Sequence, residues 1–193
     1  MNFIGHVTGG FLAGATVCTA AVASGYVPWD SDALEHFLDS PLPLEGAIPL
    51  LLGLFGVTVF MSLFPDLDTA SVPQRWFYRI VFVLLGVSYF TGHHDLFAVV
   101  AFLSPLPLIH KHRGWTHWLI TPWLIAMLLA AVHEYLRIKD SLFSGFQWEQ
   151  VLELLQTYWL FVVACVIGHY MHLLLDSRSI RWLPFIRNES DNH

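Results

Sequence analysis

The chain has 193 residues, of which 55% are apolar and only 12% are charged, and its formal net charge is −6 at pH 7. Soluble domains carry roughly 25% charged residues. This composition, with a mean hydropathy of +0.57, therefore excludes an ordinary soluble domain. We predict a single membrane-embedded domain over residues 1–193, with membrane lipid as a partner and no nucleic-acid partner.

Three long apolar runs predict membrane-spanning helices. They cover Val7–Val27, Ala47–Phe64 and Leu154–Leu175, the last interrupted only by two histidines. About 20 apolar residues cross the hydrocarbon core of a bilayer as a helix. Thr116–Val132 predicts a fourth span.

Residues 76–110 are better explained by two short helices than by one. A single helix over Ile80–Ile109 would be about 45 Å long, whereas the hydrocarbon core is roughly 30 Å thick. We therefore predict a hairpin that turns at Gly92–Asp95, as two spans or as a re-entrant pair, with Pro105 and Pro107 bending or ending its second helix. The complete prediction is an all-α membrane protein with six helices, near residues 4–27, 46–65, 76–92, 96–110, 116–135 and 151–175.

The distribution of cations predicts how these helices are oriented. Arg137 and Lys139 lie at one predicted membrane face. The other seven cations lie at the opposite face, which the positive-inside rule assigns to the cytoplasm; they are Arg75, Arg79, Lys111, Arg113, Arg178, Arg181 and Arg187. The prediction is a multi-pass protein of a bacterial-type inner membrane, with both termini in the cytoplasm.

Three stretches at this cytoplasmic face combine imidazoles with carboxylates. They are PDLD ending at Asp68, HRGWTH from His112 to His117, and GHYMHLLLD ending at Asp176. Burying a lone carboxylate or imidazolium costs several kcal/mol or more unless a partner or a metal neutralises it. Histidine and aspartate together form a nitrogen and oxygen ligand set for a divalent transition ion. The stretches therefore predict a metal site at this face.

The third stretch places its candidate ligands on one helix face. His172 and Asp176 are four residues apart, so their Cβ atoms would lie about 5–6 Å from each other. One metal ion could take a nitrogen and an oxygen from such a pair. His169, one turn earlier, is a ligand, a partner of a ligand or a packing histidine. His6, at the start of the first span, is an additional candidate ligand.

The PDLD stretch offers two alternating carboxylates, Asp66 and Asp68, directly after Pro65. Carboxylates spaced in this way can bridge or clamp cations. The alternative is a polar helix end that enters a loop. Ser71 is placed to donate a hydrogen bond to either carboxylate.

The HRGWTH stretch presents two imidazoles, His112 and His117, around Arg113. Imidazole binds metal, and a guanidinium suits bidentate recognition of phosphate. A basic loop beside the membrane would explain Arg113 but not the two histidines. Thr116 is predicted to cap the helix that follows it.

Taken in order, these motifs resemble those of the YdjM-type, LexA-regulated inner-membrane metal-dependent hydrolases, over nearly the whole chain. The chain departs from the family pattern at Trp118, where a small hydroxyl residue is common. The resemblance implies a membrane-bound metal-dependent hydrolase and carries over, as its site residues, His6, Asp66, Asp68, His112, His117, His172 and Asp176. The spacing HxxxD is also similar to that in zinc-dependent phospholipase C and P1-type nucleases, which implies a phosphoester substrate.

We therefore predict hydrolysis of a lipid or small-molecule phosphoester with one or two divalent ions, zinc foremost and manganese or iron as alternatives. A bound metal would lower the pKa of its water toward about 7. The predicted catalytic groups are Asp66, Asp68, His112, Arg113 and His117. Arg113 would neutralise phosphate charge, and a carboxylate that the metal does not fully occupy would act as the base.

Two other functions remain open at the level of sequence. A metal-ion transporter or sensor is disfavoured, because transport sites usually lie near the bilayer midplane. The central turns of the predicted spans are almost wholly apolar. A membrane protein stapled by metal, without turnover, is the second alternative, and the sequence does not exclude it.

Overall fold

The computed structural model describes residues 3–29, 32, 46–109, 114–139 and 145–177. Within these ranges the regular secondary structure is entirely helical, which confirms the all-α prediction there. The α-helices are α1 (Phe3–Ala23), α2 (Ala47–Leu63), α3 (Val72–Phe90), α4 (His94–Leu103), α5 (Thr121–Ile138), α6 (Trp148–Thr157) and α7 (Trp159–Asp176). Short 3₁₀ helices cover Phe64–Asp68, Leu106–Ile109 and Trp115–His117.

Three of the described helical segments are long and apolar enough to cross a membrane. They are Phe3–Ala23, Ala47–Asp68 and Trp159–Asp176, and His94–Ile109 is a shorter apolar segment. The first, second and last predicted spans are confirmed on these criteria, whereas the count of six is not. The fourth predicted span, Thr116–Val132, is not among these segments, and α5, which covers most of it, carries His133, Glu134 and Arg137 in its last turns.

The chain forms two compact units, and the first contains α1, α2 and α7 (Met1–Leu63 with Leu160–His193). Small residues on α1 let it approach α2 closely, as they do in other membrane helix pairs. Gly10 packs against the side chain of Ser62, and Gly14 against the ring of Phe55. The core of this unit lies further along the same helices and contains Val17, Ala21, Val27, Ala47, Leu54, Leu160 and Ala164.

A second glycine contact brings α7 against α2. Gly168 packs so closely on the backbone carbonyl of Thr58 that a Cβ atom would overlap the carbonyl oxygen. One turn further along both helices, His172 bonds the carbonyl of Ser62. Two contacts spaced alike on both helices show that α2 and α7 run in the same direction, with the ends that carry Ser62 and His172 together.

The second unit, Phe64–Trp159, contains the predicted hairpin. Helix α3 ends at Phe90, and Gly92 turns the chain with a positive φ of 77° before α4 begins at His94. Only glycine adopts that conformation without a Cβ penalty. Helix α4 ends at Leu103 rather than 110, before Pro105 and Pro107, which the sequence predicts to bend or end it. The Tyr78 hydroxyl donates to the Ser104 carbonyl at 3.0 Å and ties the two helices together.

Several other predicted helix boundaries differ from the structure, and α1 ends at Ala23 rather than 27. Helix α3 begins at Val72 rather than 76, because Ser71 accepts a hydrogen bond from the Gln74 N–H and Pro73 suits the first turn. Helix α5 begins at Thr121 rather than 116. The last predicted helix is divided at Tyr158, whose backbone leaves the helical conformation (φ −103°, ψ 29°), so that α6 and α7 are separate.

Helix α5 is joined to the start of α6 by a buried carboxylate. Glu134, with a side chain only 3% exposed, accepts hydrogen bonds from Arg137 at 2.7 and 3.0 Å. It also accepts one from the backbone N–H of Gln147 at 3.3 Å. The Arg137 hydrogen bonds, with a smaller contribution from Gln147, hold the pKa of Glu134 below its ordinary value of 4.5.

Candidate metal centre

Two buried histidines meet where three helices of the first unit end. His6 lies in the first turns of α1 and His172 near the end of α7, and they are 2% and 1% exposed. Their rings stack with centroids 4.0 Å apart and planes 15° from parallel. The stacking brings together two imidazole rings, a side chain whose nitrogen is a common metal ligand.

A hydrogen bond determines which ring nitrogen of His172 carries the hydrogen. Its Nδ1 atom lies 2.8 Å from the carbonyl oxygen of Ser62. A carbonyl can only accept, so Nδ1 carries the hydrogen and Nε2 carries the lone pair. The carbonyl is available because the last four carbonyls of a helix have no partner within it, and α2 ends at Leu63. Histidines that bind metals are commonly held in this way.

Within this unit His172 has ligand spacing to two other predicted ligands, His6 and Asp176. A ligand atom of His172 lies within 4.8 Å of one from His6, and likewise within 4.8 Å of one from Asp176. Two imidazole nitrogens and one carboxylate oxygen are a typical catalytic zinc set, which leaves a fourth position for water. The pairs that His172 forms with His6 and with Asp176 are of the donor type that binds a divalent transition ion, and its Nδ1 proton is fixed by Ser62.

His169 lies apart from the candidate ligand groups of the described residues. It is completely buried on α7, and its ring lies 6.2 Å from that of Tyr170. Among the described residues, His169 belongs to no group of histidine and acidic side chains with ligand spacing.

The PDLD and HRGWTH stretches meet in the second unit. The Thr116 hydroxyl donates to Oδ2 of Asp68 at 2.9 Å. Nδ1 of His117 lies 3.7 Å from the same oxygen and 3.2 Å from the Thr116 hydroxyl. The Asp68 side chain is only 1% exposed. These contacts bring together motifs that are far apart in the sequence.

The positions of the hydrogens among Asp68, Thr116 and His117 follow from which atoms can donate. A carboxylate only accepts, so the single hydrogen of the Thr116 hydroxyl points to Asp68. The hydroxyl oxygen then accepts from His117, which places the hydrogen on Nδ1 and the lone pair on Nε2. Asp68 and Thr116 therefore orient His117, as the partners of metal-binding histidines do. Asp66 lies half-buried in the same 3₁₀ turn.

Two side-chain roles predicted from the sequence are wrong. Thr116 does not cap the following helix, because its hydroxyl is engaged by Asp68 and α5 begins after Ile120. Ser71 does not donate to a carboxylate. Its hydroxyl donates to the backbone carbonyl of Asp66 at 2.6 Å and caps α3.

The remaining predicted site residues, His112 and Arg113, lie outside the described residues. Sequence reasoning missed the role of Ser62. A signal was present, because Ser62 occupies the last turn of an apolar span, where a backbone carbonyl needs a partner.

A comparison with protein families supports the membrane assignment. The family model described as YdjM inner membrane protein matches residues 1–186. Neither the curated proteins nor the solved structures gave a match. The match covers nearly the whole chain, including every motif described above. The chain therefore belongs to the YdjM inner membrane protein family.

Proposed function

We propose that this protein is a membrane-bound, metal-dependent hydrolase of phosphoesters, with phospholipid headgroups as the foremost substrates. The observation that carries the proposal is the His172 imidazole, whose proton is fixed on Nδ1 by the Ser62 carbonyl 2.8 Å away. Its other nitrogen is thereby prepared to bind a metal, with His6 stacked on the ring and Asp176 one turn away.

Each residue has a distinct role in the proposal. His6, His172 and Asp176 hold the ion, zinc foremost. When bound, the ion would polarise a phosphoryl oxygen and lower the pKa of a water toward about 7. Asp68 and Thr116 keep Nε2 of His117 available by holding its Nδ1 hydrogen.

Two groups supply the remaining chemistry of the proposal. Arg113 pairs with the charge of the phosphoryl group, and Asp66 accepts the proton of the attacking water. Both assignments rest on the sequence.

The position of the ligands along their helices supports a headgroup substrate. His6 is in the first turns of α1, and Asp176 is the last residue of α7. Both helices are long and apolar enough to span a membrane. Side chains at the ends of such helices reach the headgroup region, where the phosphoesters of phospholipids are found.

The first experiment measures metal content and hydrolysis together. Purified protein should retain about one or two transition-metal ions and hydrolyse a phospholipid or bis(4-nitrophenyl) phosphate. His172→Ala with Asp176→Ala should lose both properties. The matched control is His93→Ala with His94→Ala, which changes two exposed residues at the hairpin turn and should keep both. Equal loss in the two variants would contradict the assigned ligands.

A second experiment separates an enzyme from a transporter or a metal staple. Arg113→Ala should keep the bound metal and thermal stability but lower hydrolysis by about 10²-fold or more. Arg113→Lys should recover only part of the rate, because lysine lacks the bidentate fork. Metal flux in proteoliposomes without turnover would identify a transporter. Neither activity, together with a loss of stability on chelation, would identify a staple.

A further inference from the structure

Helix α3 carries a groove that the proposed metal chemistry does not use. The groove has a volume of about 540 Å³ and is lined by Gln74, Arg75, Tyr78, Arg79, Phe82 and Val83. These residues follow one another at helical spacing, so the groove runs along α3. Its first half is polar and cationic, and its second half is apolar.

The cationic half presents two guanidinium groups one helical turn apart. Arg75 and Arg79 are both exposed. In the part of the chain that the structure describes, the ion pairs of the carboxylates involve His117, Arg137 and Lys139, and none involves these two arginines. The Arg79 guanidinium lies over the Trp76 ring, 5.2 Å from its centroid, which limits its freedom. Paired guanidinium forks match the oxygens of a phosphate.

The apolar half continues into a surface that water would solvate poorly. Phe82 is 78% exposed and Val83 is 60% exposed, and Phe90 at the end of the helix is 87% exposed. In a membrane protein such a surface is covered by hydrocarbon. Trp76, which is 57% exposed beside the arginines, is typical of the boundary between hydrocarbon and headgroups.

The groove wall is held in place by a polar contact. The Tyr78 hydroxyl donates to the Ser104 carbonyl at 3.0 Å, which joins α3 to the end of α4. Its ring is therefore fixed between the cationic and apolar halves. A preformed groove binds a ligand without the entropic cost of ordering its wall.

We propose that this groove binds one anionic phospholipid, with its phosphate between Arg75 and Arg79 and an acyl chain along Phe82 and Val83. The charge and the apolar length of the groove select a ligand that is anionic at one end and hydrocarbon at the other. The binding is independent of the proposed hydrolysis, because none of the groove residues belongs to either histidine group.

The test measures thermal unfolding of the full chain in detergent, with phosphatidylglycerol or phosphatidylcholine added. Phosphatidylglycerol should raise the unfolding midpoint of the wild type as it saturates the site. Arg75→Gln with Arg79→Gln should weaken this apparent affinity about tenfold or more, and Arg75→Lys with Arg79→Lys should weaken it less. The double lysine variant keeps both charges, so it remains a test of the guanidinium groups if the double glutamine variant does not fold.

A matched control removes the same charge elsewhere. Arg181→Gln with Arg187→Gln also removes two cations, from a part of the chain outside the described residues, and should keep the response to phosphatidylglycerol. An equal loss of the response to phosphatidylglycerol in this control would indicate nonspecific electrostatic attraction and overturn the proposed binding in the groove. An equal response of the wild type to phosphatidylcholine would overturn the requirement for an anion.

Two further measurements distinguish a phospholipid from free phosphate as the ligand, and the lipid site from the proposed hydrolase. Inorganic phosphate alone should bind far more weakly than phosphatidylglycerol; equal affinity would overturn the role of the apolar half. The lipid response should be the same with and without a chelator. A response that disappears with the metal would overturn an independent lipid site, whereas absent hydrolysis with an intact lipid response would contradict only the proposed enzyme.

Discussion

Gly168 of α7 lies against the backbone carbonyl of Thr58 in α2, one helical turn before His172 bonds the carbonyl of Ser62. The two contacts share one register, so the glycine determines how close α7 comes to α2 at the level of the histidine. Without that approach, the Nδ1 atom of His172 could not lie 2.8 Å from its acceptor.

Replacing Gly168 by alanine should destabilise the protein. The added methyl group would meet a backbone atom, which cannot rotate away, so the helices must separate. Overpacking of this kind typically costs about 1–3 kcal/mol. The thermal unfolding midpoint in detergent should fall, and the metal content should fall with it because His172 moves away from Ser62.

Gly56→Ala provides the matched control for Gly168→Ala. Gly56 is also within a helix of the first unit, but a Cβ atom there meets no atom within 4 Å. Alanine in an open helical position is favoured by roughly 0.5–1 kcal/mol. The control should therefore keep or raise the midpoint, and the same behaviour in Gly168→Ala would contradict the close helix contact.

Thr116→Val removes the hydroxyl of this side chain but keeps its shape, so it tests the contribution of the hydroxyl alone. The variant removes the hydroxyl that donates to Asp68 and accepts from Nδ1 of His117. Loss of such a partner typically costs about 10–100-fold in metal affinity or activity. Steady-state hydrolysis should show a lower kcat, whereas Thr116→Ser, which keeps the hydroxyl, should stay near the wild type. Equal loss in both variants would indicate that only packing matters.

The stability of the protein should depend on pH through Glu134. The folded-state pKa of this carboxyl lies below its ordinary value because of the Arg137 hydrogen bonds. A depressed pKa gives stability that is present above the ordinary value of 4.5 and is lost as the pH falls through the folded-state value. Glu134→Gln should therefore be less stable than the wild type at neutral pH, with the difference shrinking in acid.

The measurement for Glu134 is the unfolding midpoint as a function of pH. Glu149→Gln is the charge-matched control, because it removes an exposed carboxylate at the start of α6. It should leave the wild-type pH profile unchanged. A Glu134→Gln profile parallel to that of the wild type at all pH values would refute the role of the Arg137 contact.

Reporter fusions should place PDLD and HRGWTH on the same side of the membrane. Seven of the nine cations predict that this side is the cytoplasm. Fusions after Asp68, Arg113 and His193 should all report cytoplasm, and a fusion near Asp140 the opposite compartment. The hydrogen bond between Thr116 and Asp68 requires one side for both motifs. Reporters on different sides would contradict this contact as well as the predicted topology.

The sequence predicted elements whose signals are local. The hairpin at Gly92 follows from the length of the apolar run and from a residue that tolerates positive φ, and the end of α4 follows from Pro105. The break at Tyr158 has no such signal, since no glycine or proline accompanies it. The apolar pattern continues across the break, so the sequence predicts one helix where the structure has α6 and α7.

The candidate site was predictable in its residues but not in its geometry. Helical spacing placed His172 and Asp176 on one face, because that relation lies within one helix. The stacking of His6 on His172 depends on how two distant helices pack, which no local pattern encodes. Thr116 was assigned as a helix cap for a similar reason: its partner, Asp68, is close only after folding.

The partner of His172 is a main-chain atom, and this has a consequence for genetics. Every residue at position 62 carries the same carbonyl, so an alanine scan would not remove this hydrogen bond, and variation at the position would not reveal it. Replacing Leu63 by its α-hydroxy acid would convert the peptide bond into an ester and weaken that acceptor. A change in the backbone at this peptide bond therefore tests the hydrogen bond to His172 directly.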